Sequence, residues 1–120
     1  MTTKANLLAV TIDCEDPVRM AEFWHQVTGF DIQVAEAEYS AVSDGTNTIY
    51  FARIPGYKAP AWPSDDKQFH LDFRVPDVAK AVEEYQSLGA TKPDFQSSDG
   101  WVVMQDPEGH LFCVCPERSS

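Results

Sequence analysis

The chain predicts an α+β fold built from two tandem copies of one strand-helix-strand unit, and three observations carry that prediction. The segment Leu8 to Pro17, followed by a helical stretch ending at Gly29, is echoed by Phe69 to Val78 and a helical stretch ending at Gly89. After each helix the chain returns to strand-like segments joined by turn residues. At 120 residues it fits one domain, whereas each half, at roughly 55 residues, is marginal alone, so the halves are expected to share a core. A repeat this short predicts a cleft between the copies.

In the first strand, Leu8, Val10, Ile12 and Cys14 alternate with Ala9, Thr11, Asp13 and Glu15, the period of a sheet with one covered face. Asp16 then predicts an N-cap, because its carboxylate can accept from free backbone N–H groups, and Pro17 needs no N–H partner in the first helical turn. The helix runs to about Thr28 with Met20, Ala21, Trp24 and Val27 as its apolar stripe, and Gly29 suits the left-handed residue that ends it. His25 is expected to face solvent. Tyr39 to Ser43 and Thr48 to Ile54 flank the turn residues Asp44-Gly45-Thr46-Asn47 and predict a hairpin.

The segment 55–67 carries three prolines and one tryptophan, Trp62, and reads as a linker. In the second half, Leu71, Phe73 and Val75 share one face of a strand and His70, Asp72 and Arg74 the other. Asp77 caps the next helix, whose stripe is Val78, Ala81, Val82, Tyr85 and Leu88. Gly100 to Gln105 and His110 to Cys115 flank Asp106-Pro107-Glu108-Gly109 as a second hairpin.

Composition narrows the function. A hydrophobic content of 43% supports a packed interior, and no apolar run reaches membrane-spanning length, so the sequence reads as a soluble protein. The first residues lead almost directly into a strand, without room for a signal peptide, and cytoplasmic residence is expected. Three cysteines, Cys14, Cys113 and Cys115, fit reduced thiols rather than a disulfide framework. A net charge of −10 disfavours nucleic acid and anionic membrane surfaces as partners and would attract cationic small molecules.

The repeat, the segment His70-Leu71-Asp72-Phe73-Arg74-Val75-Pro76-Asp77-Val78 and the ending Asp106-Pro107-Glu108-Gly109-His110-Leu111-Phe112 resemble the vicinal oxygen chelate superfamily. That group covers glyoxalase I, bleomycin-resistance proteins and extradiol dioxygenases, and the glyoxalase-like subgroup is the nearer likeness. The resemblance implies one domain over 1–120, made of two βαβββ modules, about 6–54 and 68–117, whose curled mixed sheets enclose a cleft. It also implies a homodimer. In metal-dependent members one divalent ion is held from equivalent positions of both modules; with the 61-residue offset that aligns Val10 with Leu71, those positions are Ala9, Ala52, His70 and Cys113. Two alanines remove half of the ligands, so no metal and no cofactor is expected.

The candidate residues follow. His70, Asp72 and Arg74 share a strand face; His70 can move a proton and Arg74 can hold an anionic or carbonyl group, while the alternative is that Asp72 and Arg74 simply pair. Tyr50, Trp62, Trp101 and Cys113 are the expected ligand-binding set, with Trp62 as a stacking wall or dimer contact. Cys113 and Cys115 share a face of the last strand, as apolar filling or as a reactive pair. Two functions remain open: a metal-free module that sequesters an aromatic or cationic natural product, or a lyase, isomerase or cyclase using His70, Asp72 and Arg74. A metal-dependent glyoxalase or dioxygenase would need ligands from other positions.

Overall fold

The computed structural model describes residues 3–63, 69–96 and 99–117 and has the α+β architecture that the sequence predicts. Its elements are β1 (Val10–Cys14), α1 (Pro17–Thr28), β2 (Asp31–Ala35), β3 (Tyr39–Ser43), β4 (Thr48–Arg53), β5 (Leu71–Val75), α2 (Val78–Ser87), β6 (Val102–Gln105) and β7 (Leu111–Pro116). The chain divides into two compact units, Met1–Tyr57 and Lys58–Ser120. The expected linker 55–67 is thereby split: Lys58 to Pro63 belong with the second unit, and 64–67, with residue 68, lie outside the described residues.

In the first unit the strands are ordered β1-β4-β3-β2, with β1 parallel to β4 and the other pairs antiparallel. The capping expected from Asp16 is present, the Arg19 backbone N–H donating to its Oδ1 at 3.2 Å. Gly29 closes α1 at φ 75°, a left-handed conformation that a Cβ would oppose. The helix buries Met20, Ala21, Phe23 and Trp24, and the last two rings meet edge to face with centroids 5.0 Å apart. Ser40 ties β3 to the helix by donating to the Pro17 carbonyl at 2.7 Å. Side chains alternate along each strand, so Phe51 takes the buried side of β4 and Tyr50 the other.

Two expectations for this unit are corrected. Leu8 is exposed rather than part of the first strand, because β4 begins at Thr48 and the ladder starts at the Val10–Ile49 pair. His25 is half-buried rather than solvent-facing, because the chain turns at Gly29 and brings the Phe30 carbonyl 2.6 Å from His25 Nδ1.

In the second unit β7 lies between β5, which runs parallel to it, and β6, which runs antiparallel. Asp77 caps α2, accepting the Lys80 N–H at 3.1 Å. Ala81 and Tyr85 of α2 are buried, and Phe112 of β7, fully buried, meets Phe73 at 6.1 Å and Tyr85 at 6.3 Å between ring centroids.

The strand expected directly after α2 is reduced, among the described residues, to a single bridge between Thr91 and Gln105. Pro93 has no N–H with which to continue a ladder, and the Gln96 side chain takes over instead. Its Oε1 accepts the Val103 N–H at 2.8 Å and its Nε2 donates to the Val103 carbonyl at 3.0 Å, satisfying the free edge of β6.

The predicted turn between β6 and β7 is present and centres on Asp106, which is buried. Its carboxylate accepts the backbone N–H groups of Glu108 at 2.9 Å and His110 at 3.0 Å, and lies 2.7 Å from the His110 ring nitrogen. Gly109 sits at φ 90°, where an added Cβ would come 3.1 Å from the Ala59 side chain. No helix among the described residues is long and apolar enough to cross a membrane.

Candidate functional site

The register of the second sheet assembles the site. Asp72 lies opposite Cys113, Arg74 opposite Cys115, and Val103 of β6 opposite Cys113 from the other side. Since successive residues face opposite sides of a sheet, Phe73 and Phe112 pack together while Asp72, Val103, Leu111 and Cys113 are left on the other face. A cavity of about 330 Å³ opens there. Its floor is the apolar cluster of Val103, Leu111 and Cys113, and Trp62 and Cys115 pack against that cluster.

Two indoles line this cavity. Trp62 is half-buried and fixed by Phe95, whose ring meets it at 5.9 Å and whose carbonyl accepts its Nε1–H at 3.4 Å. Trp101 is 43% exposed, and so presents ring surface to whatever enters.

The polar lining is a three-membered cluster. His70 Nδ1 lies 3.1 Å from Asp72 Oδ1 and 3.9 Å from Cys113 Sγ. A base beside an orienting carboxylate is the arrangement that moves protons, so the pair can accept a proton from a bound molecule.

Burial raises the Cys113 thiol to about 12, and the charge and hydrogen bonding of Asp72 add to the effect. Cys115 is also raised, first by burial and then by Asp72, with Arg74 opposing. A raised thiol pKa favours the neutral form, so these cysteines are poor nucleophiles at neutral pH. From the ordinary 9.0 to about 12, the thiolate fraction of Cys113 at pH 8 falls roughly a thousandfold. Iodoacetamide labelling followed by peptide mass spectrometry should therefore find Cys113 largely unmodified after an exposed-thiol control is fully alkylated, with the rate rising steadily up to pH 10. Rapid labelling at pH 7 would contradict this environment.

The fold brings together five of the residues expected from sequence: His70, Asp72, Trp62, Trp101 and Cys113. Arg74 faces the Cys115 side of the same strand pair but does not line the cavity. Tyr50 belongs to the first unit, where it lines a separate hollow with Tyr39, Ala41 and Thr48. Of the four positions at which the resemblance implied metal ligands, Ala9 and Ala52 have no donor atom, so that ligand set does not fit this chain. Sequence reading missed the floor residues Val103 and Leu111, and Gln96, whose double hydrogen bond to Val103 holds the segment carrying Phe95. Alternation marks Val103 and Leu111 as inward or outward without saying which; Gln96 carries no sequence signal.

Comparison with known proteins gives one family model, a glyoxalase-like domain, matching residues 9–115. No curated protein matches the chain. Among solved structures, a glyoxalase/bleomycin resistance protein/dioxygenase family enzyme from Burkholderia phytofirmans PsJN has a TM-score of 0.70 at 22% identity, covering 93% of this chain and 98% of that one. Fosfomycin resistance protein FosX from Mesorhizobium loti has a TM-score of 0.68 at 17% identity, covering 97% and 95%. A glyoxalase-related enzyme from Fulvimarina pelagi has a TM-score of 0.67 at 18% identity, covering 94% and 89%.

Proposed function

The chain belongs to the family of glyoxalase-like domains, and from that membership we propose that it binds an organic small molecule, planar and cationic in character, on the Trp62 and Trp101 face of its second unit. The observation that carries this reading is an apolar floor lined by two tryptophans, with a carboxylate at hand. A flat ring can stack on either indole, and Asp72 offers a counter-charge to a cationic group. The net charge of −10 raises the local concentration of such a ligand. Proteins of this fold that carry resistance to bleomycin or fosfomycin in their names support a ligand of natural-product type. We further propose that the protein works in the cytoplasm, in keeping with its three free cysteines, and as a homodimer.

A titration with acridine orange, a planar cation, followed by dye fluorescence tests the site. Saturable binding is expected, weakened about tenfold in Trp62→Ala, since loss of a stacking partner and its buried area removes on the order of 1.4 kcal/mol. Asp72→Asn should also weaken it, more strongly at low salt. Equal affinity in wild type and both variants would place the binding elsewhere.

A further inference from the structure

We propose that Gln96 is a latch that positions the Trp62 wall of the cavity and so sets how firmly a ligand is held there; the inference rests on the reading of that cavity as a small-molecule site. The latch is a side chain standing where a strand would stand. β6 is an edge strand of the second sheet, and its outer backbone groups need partners. Thr91 and Gln105 exchange both backbone hydrogen bonds, at 2.9 and 2.8 Å. Two residues further along this antiparallel register the ladder would set Pro93 against Val103, and proline has no N–H to give.

The Gln96 amide supplies what Pro93 lacks. A primary amide carries an acceptor oxygen and two donor hydrogens. The oxygen accepts the Val103 N–H at 2.8 Å, one hydrogen goes to the Val103 carbonyl at 3.0 Å and the other to the Pro93 carbonyl at 2.9 Å. Both hydrogens are therefore used, and the amide can take only this orientation.

The preceding residue carries the latch to the site. Phe95 meets the Trp62 ring at 5.9 Å, and its carbonyl accepts the indole N–H at 3.4 Å. Phe95 is itself 50% exposed, so its own burial fixes it weakly. Val103 closes the circuit: its side chain belongs to the cavity floor, and its backbone is what Gln96 grips. One side chain thus ties wall to floor. A few hydrogen bonds of modest net strength open more readily than a strand ladder. When they open, Trp62 loses the neighbour that orients its ring, and affinity falls with the fraction of molecules still latched.

The test compares wild type, Gln96→Ala and Gln96→Glu by the indole N–H signal of Trp62, without ligand, from pH 8 to pH 5. In Gln96→Ala the signal should move at every pH, while circular dichroism and the Trp24 signal of the first unit stay as in wild type. In Gln96→Glu it should move at pH 8, where an ionised carboxylate only accepts and faces the Val103 carbonyl. It should return as pH falls, because a neutral carboxyl again offers one donor and one acceptor, and the carbonyls facing it raise its pKa above the ordinary 4.3 or so. Wild type over the same range is the reference for the chain's own carboxylates and histidines. A merely structural role would not give this recovery. At pH 8 both variants should bind acridine orange about fivefold more weakly, as when about one molecule in five stays latched. A Trp62 signal unmoved in Gln96→Ala, no recovery in Gln96→Glu, or wild-type dye affinity in both variants would overturn the latch. The indole comparison uses no ligand, so failure of the small-molecule reading, seen as wild type that does not bind the dye, is distinguishable from failure of the latch.

Discussion

Replacing Phe112 with alanine should destabilise the protein by about 3–5 kcal/mol, the range for deleting a fully buried aromatic ring. Phe112 has no exposed surface, and its ring touches Phe73 of β5 and Tyr85 of α2, so it links both elements to β7. Of the two buried side chains of α2, Ala81 is too small to refill the void. Against a total stability of about 5–15 kcal/mol, this loss removes a large share. Urea unfolding followed by circular dichroism measures it as a lower midpoint. A change below about 1 kcal/mol would mean that Phe112 does not close the core of this unit.

The second large effect is expected at Asp106. Its carboxylate is buried and receives two backbone N–H groups and the His110 ring. Alanine would leave those donors without their acceptor in a part of the turn with little access to water, at about 2–4 kcal/mol. The loss should also reach the site, because the turn leads straight into Leu111 and Cys113, and acridine orange affinity should fall along with stability. Asp106→Asn keeps one acceptor oxygen and should recover part of both. If Asp106→Ala unfolds at the wild-type midpoint, the turn is held by other means.

Much of this architecture was legible in the residues because its signals are local. Asp16 and Asp77 cap as their side chains dictate, Gly29 ends α1 in the conformation that glycine permits, and Asp44 accepts the N–H groups of Thr46 and Asn47 in the first hairpin turn. Those hydrogen bonds to a carboxylate also lower the pKa of Asp44. That His70, Asp72 and Arg74 share a strand face followed from parity alone, but parity did not say that Asp72 lies 3.1 Å from His70, where the sequence had offered Arg74 as its partner. What the sequence could not supply was register. Only the β5–β7 pairing sets Asp72 against Cys113 rather than against Arg74 of its own strand, and so turns three separate residues into one cluster. That the described residues after α2 form only a single bridge was invisible for a related reason: Gln96 satisfies the edge of β6 from seven residues away in sequence, by a contact that no periodicity records. The face that Tyr50 takes was likewise not legible until the structure put Phe51 on the buried side of β4 and Tyr50 in a hollow of the first unit.

The most direct measurement is a heteronuclear NMR titration that follows the indole N–H signals of the three tryptophans while acridine orange is added. Trp62 and Trp101 line the cavity, and Trp24, on the buried face of α1, belongs to the first unit. The expected result is that the Trp62 and Trp101 signals move together in a saturable way and Trp24 stays where it is. Movement of Trp24, or binding that leaves both cavity tryptophans unshifted, would contradict a ligand site on the second sheet.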